Sequence, residues 1–92
     1  MIFDTKVMKK QAEIKRINEQ IKSAVLNDRG LDVINLSLLN IVKNRELKKL
    51  IVRKPHLKNR DEIITALHHE RLTFEQLARE TFEKMLGKML ED

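Results

Sequence analysis

Between Asp4 and Arg29 the apolar residues fall at Val7, Ile14, Ile17, Ile21, Ala24 and Val25, and almost everything else is polar. Steps of seven, three, four, three and one keep them on one narrow stripe of a helix. The stripe is narrower than the apolar face of an ordinary globular helix and closer to a coiled-coil seam, with Lys10 interrupting one seam position. A chain that begins this way must lay a long helix along a neighbour. Asp4 is placed to cap it and Gly30 to stop it, which predicts a helix over 4–29.

Eight of the next twelve residues, Leu31 to Val42, are apolar, and the polar four (Asp32, Asn35, Ser37, Asn40) are spread around the wheel. This pattern predicts a buried helix over 32–43 at the centre of the fold. The strict alternation of residues 34–38 and the β-branched Val33, Ile34, Ile41 and Val42 leave a strand as an alternative, although no second strand is evident to pair with it. Leu47, Leu50 and Ile51 share a face opposite Arg45, Lys49 and Arg53, giving a basic amphipathic helix over 44–54 that Pro55 ends.

Asn59 with Glu62 has capping-box spacing and introduces a short helix over 60–70. Thr73 with Gln76 is a second box, with Leu72 and Leu77 at the staple positions, and introduces a C-terminal amphipathic helix over 74–90. The expected architecture is all-α: four to five helices in a compact antiparallel bundle-like domain spanning 1–92. With 92 residues the core is thin, and homodimerisation would complete it. The surfaces most in need of cover are the first stripe (Val7, Ile14, Ile17, Ile21) and the last helix (Phe82, Met85, Met89).

Charge is unevenly placed. Residues 1–42 carry seven basic and five acidic side chains, 43–60 carry eight and one, and 61–92 carry four and eight. The net of +7 in the middle block makes Arg45, Lys48, Lys49, Arg53, Lys54, Lys58 and Arg60 candidate phosphate contacts, because lysine and arginine gain polyanion affinity by displacing counterions. No aromatic residue interleaves the block, so duplex backbone contact fits better than single-strand stacking. In the competing reading the block pairs with acidic residues of the last helix, or with an acidic protein surface, and the chain is an adaptor or small regulator that binds through its C-terminal helix.

Catalytic and metal chemistry find little footing. There is no cysteine, which removes disulfides and thiolate metal sites. His68 and His69 are adjacent and diverge by about 100° on a helix, without an i, i+4 ligand partner. Asp61-Glu62 suits a first helical turn, and Ser23 and Ser37 have no neighbouring histidine. Residues 63–78 open like a helix-turn-helix, but Arg79 to Leu90 continues the same amphipathic period with Glu80 and Glu83 outside, where a recognition helix would be polar or basic. The helical chorismate mutases share roughly this length and a long first helix. Their site takes two arginines and a lysine, yet the spacings of Arg16, Arg29 and Lys43 do not match that pattern. The sequence therefore predicts a non-enzyme with no cofactor and no metal. Met1 to Lys10 turns charged too soon for a signal peptide, and 31–42 is too short for a membrane span, so a cytoplasmic location is expected.

Overall fold

The computed structural model describes residues 5–91. It contains three helices, α1 (Thr5–Leu26), α2 (Gly30–Val52) and α3 (Arg60–Glu91), and no strand among the described residues. The expected all-α class holds, with three helices where four to five were expected. Asp4, expected as a cap, lies outside the described residues.

α2 packs against both α1 and α3, while the backbones of α1 and α3 stay more than 8 Å apart. The molecule is a rod of 58 × 18 × 15 Å, and its radius of gyration of 15.6 Å exceeds the about 12 Å of a compact chain this long. Lys10 of α1 meets Glu46 of α2. Asn40 of α2 meets Glu70 of α3, and Gly30 lies against Met85 and Thr81. Consecutive helices are therefore antiparallel. α3, the longest at 32 residues, runs on past the start of α2.

Each seam follows a three-four step. In α1, Val7, Ile14, Ile17, Ile21 and Ala24 are buried, and Lys10 at the remaining seam position turns its ammonium to Glu46. In α2 the buried residues are Val33, Ser37, Asn40, Asn44, Leu47 and Ile51. In α3, Leu67 is buried and Ile63, Glu70, Phe74, Leu77 and Thr81 are half-buried. The core proper gathers Val7, Ile14, Leu47, Ile51 and Leu67 at one end of the rod.

Three expectations need correction. The helices expected over 32–43 and 44–54 are one, because their seam positions run on without a break. Its N-terminal half is also not a buried centre: Leu31, Leu38, Leu39 and Val42 are exposed while Ser37 and Asn40 are inside. The break expected before Phe74 is absent as well. Thr73 Oγ1 donates to the His69 carbonyl at 3.0 Å and Gln76 Nε2 to Glu80, so the capping residues serve inside a continuous helix, a known use of threonine hydroxyls.

Gly30 does not stop α1 but begins α2. The stop is a Schellman motif: Arg29 N–H donates to the Ala24 carbonyl and Asp28 N–H to that of Val25, with Asp28 at φ 54° in the left-handed position. Gly30 is instead a point of close approach, since a Cβ there would lie 2.9 Å from Met85 Sδ. Pro55 follows α2 as expected, and α3 starts at Arg60 with Asn59 at φ 62° accepting from Ile63 N–H through its carbonyl.

Candidate polyanion interface at the basic pole

The antiparallel arrangement carries the N-terminal half of α1 to the C-terminal half of α2 and the start of α3. Residues 5–15 and 42–69 make up that end of the rod, and they hold twelve lysines and arginines against four acidic residues. Lys6 and Lys9, far from the basic block in sequence, line one shallow depression with Lys43 and Lys49. Sequence reasoning missed these two lysines. The signal was available in the pairing of α1 against α2, which places residues 6–10 beside residues 46–50.

Part of this charge is neutralised locally. Lys10 Nζ lies 2.8 Å from Glu46 Oε2 and 3.4 Å from Glu13 Oε2. Lys43 Nζ lies 3.6 Å from each of the same two carboxylates. The hydrogen bond from Lys10 is the main reason that the Glu46 carboxyl sits below its ordinary value. The same bond holds the Lys10 ammonium above its own. Arg60 approaches Asp61 at 3.5 Å. By contrast, Arg45, Lys48, Lys49, Arg53 and Lys58 make no ion pair with described residues and are exposed.

The acidic C-terminal helix does not reach these cations. Within α3, Arg71 pairs with Glu75 at 2.9 Å and Gln76 donates to Glu80. Its remaining core-facing acid, Glu70, accepts from Asn18 and Asn40. The reading in which the block is absorbed by this chain's own last helix therefore fails for those five residues. The reason is axial placement: the 80–91 acids lie at the opposite end of the rod.

Along the flank shared by α2 and α3, Ile41, Asn44, Arg45, Lys48, Ile64, Leu67, His68 and Arg71 line a groove of about 380 Å³. Its floor is apolar, its rim is cationic, and no carboxylate lines it. His68 and His69 are both exposed with ring centroids 6.2 Å apart. Among the described residues no group of three or more potential ligands could hold a metal ion. No helix among them is long and apolar enough to cross a membrane.

The residues expected at a subunit contact separate into two sets. Val7, Ile14, Ile17 and Ile21 are buried within the single chain, so the first stripe is closed to a second copy. Phe82 and Met89 are exposed and Met85 is half-buried beside Gly30.

No protein family model, curated protein or solved structure matches this chain.

Proposed function

We propose that this chain is a non-catalytic helical interaction module that binds a polyanion, first of all duplex nucleic acid, through its basic pole. One observation carries the reading. The fold adds Lys6 and Lys9 to the 43–60 block and leaves Arg45, Lys48, Lys49, Arg53 and Lys58 without carboxylate partners among the described residues. Arg45, Lys49 and Arg53 follow one another at four-residue steps on the outer face of α2. Their Cα atoms therefore form a ridge spanning about 12 Å, able to follow a phosphate backbone. Such contacts supply affinity without sequence preference.

The test is binding to a labelled duplex of 20–30 base pairs across a salt series. The expected log–log slope has a magnitude of about 3 or more, since each neutralised phosphate contributes about 0.9. Reversing Lys49 and Arg53 to Glu should flatten the slope while circular dichroism stays helical, and reversing Lys6 and Lys9 should do the same. No association at low salt overturns the proposal.

A further inference from the structure

The groove between α2 and α3 changes character along its length. Asn40 is level with Glu70, so on antiparallel helices Arg45, Lys48 and Ile64 lie at its outer end, toward Pro55. Ile41, His68 and Arg71 lie at its inner end, toward the middle of the rod. At 100° per residue, Arg45 stands between the ridge of Lys49 and Arg53 and the side of α2 that carries Ile41, Asn44 and Lys48. A phosphate held at Arg45 by the ridge therefore sits at the mouth of the groove.

The two outer cations, Arg45 and Lys48, are exposed and make no ion pair with described residues, whereas Arg71 is engaged by Glu75 at 2.9 Å. Behind them Ile41, Ile64 and Leu67 form an aliphatic floor, flanked by the exposed imidazole of His68. Asn44 lines the wall at 4% exposure. Its Nδ2 donates to Asn40, while its Oδ1 accepts no hydrogen bond from the described residues. The space of about 380 Å³ falls in the range of small-ligand sites, roughly 300–1,000 Å³.

We propose, resting on the duplex reading above, that this groove receives one unpaired nucleotide of the bound nucleic acid. Its phosphate rests on Arg45 and Lys48, and its base lies over the Ile41, Ile64 and Leu67 floor against His68. Charge selects the phosphate, because cations border the outer end and no carboxylate lines the space. The floor selects the base, whose flat faces gain from apolar cover and from stacking on a ring such as imidazole. The N–H groups along a base edge are the donors that Asn44 Oδ1 lacks. A fully paired duplex keeps its bases in the stack, out of reach of the groove, whereas an unpaired base swings out at lower cost. A free acyl anion would suit the floor too, but it would have to displace the polyanion from Arg45 and Lys48. A nucleotide of that same polyanion uses both cations in the role they already have.

Three labelled duplexes of about 20 base pairs test this: one fully paired, one with a single-nucleotide bulge, and one whose bulge is abasic, keeping the extra phosphate without the base. The bulged duplex should bind about five- to tenfold more tightly than the paired one, the lower part of what one stacked base contributes. The abasic duplex should lose that gain. His68→Ala and Ile41→Ala, at an exposed and a half-buried position, should each lower the ratio of bulged to paired affinity and together bring it to one, with circular dichroism still helical. A wild-type ratio of one, a gain that survives in the abasic duplex, or a gain untouched by the double variant overturns the proposal and leaves paired-duplex binding standing. Absence of binding to all three duplexes at low salt overturns the duplex reading and this site with it.

Discussion

The two halves of α2 obey opposite rules. From Leu47 to Ile51 the apolar residues face the core and Lys48, Lys49 and Arg53 face water, as in any amphipathic helix. From Leu31 to Asn44, Leu31, Leu38 and Leu39 face outward and Leu36 is half-buried, while Ser37, Asn40 and Asn44 join Val33 in the seam, all at 4% exposure or less. Asn40 Nδ2 donates to Asn18 Oδ1 and to Glu70 Oε1, Asn44 Nδ2 donates to Asn40 Oδ1, and Asn18 Nδ2 donates to Glu70 at 2.9 Å. These groups join all three helices in one polar layer. The comparison separates two tasks. The C-terminal half supplies burial energy, and the inverted half fixes register, since an asparagine at a seam position finds its partners in one alignment only. It also leaves apolar surface exposed.

The largest effect should come from breaking the ordinary half. Leu47, 1% exposed, touches the apolar cluster, and Leu47→Ala should cost about 2–5 kcal/mol in urea unfolding. Leu38→Ala, the same truncation on the inverted half, should cost less than about 0.5 kcal/mol in dilute protein, where no partner covers it. Equal losses would erase the distinction between the halves.

The polar layer sharpens the contrast at a smaller magnitude. Asn40→Ala removes the hub and strands Asn18, Asn44 and Glu70, with an expected loss of about 1–3 kcal/mol. Asn40→Leu fills the space but strands the same three residues, so its loss should be of similar size. A further cost should appear in uniqueness, as broadened amide NMR signals from helices free to shift against one another. Sharp signals from Asn40→Leu would show that register is held elsewhere.

How far the sequence foretold this follows from the same contrast. The α1 stripe was legible except at Val25, which is exposed, since its other residues are apolar at seam spacing, and so was the stop near Pro55, which has a local cause. The basic block was legible as charge, although the contribution of Lys6 and Lys9 depends on pairing between helices. The α2 seam was hidden because counting apolar residues assigns burial to leucine. The regular steps through Val33, Ser37, Asn40, Asn44, Leu47 and Ile51 appear only when polar residues are allowed as seam members. At Thr73 the local capping-box pattern yields to the continuous seam through Leu67, Glu70, Phe74, Leu77 and Thr81.

The smallest effect concerns Lys10, a cation at a seam position of α1 that faces the ordinary half of α2. Its bond to Glu46 holds that carboxyl below 4.5. A carboxyl lowered by folding stabilises the native state above its ordinary value, and that contribution is lost as pH falls through the lowered value. Lys10, held above 10.5, contributes below that value and loses its share as pH rises through the raised one. Between these limits the pair is intact. Both partners are partly exposed, so solvent screens the interaction and its loss should shift the melting temperature only slightly. Glu46→Gln should therefore flatten the acid limb of a Tm-against-pH profile, leave the Leu47→Ala penalty unchanged, and narrow its difference from wild type at high salt. An acid limb as steep as wild type's would show that groups other than this pair govern acid unfolding of the rod.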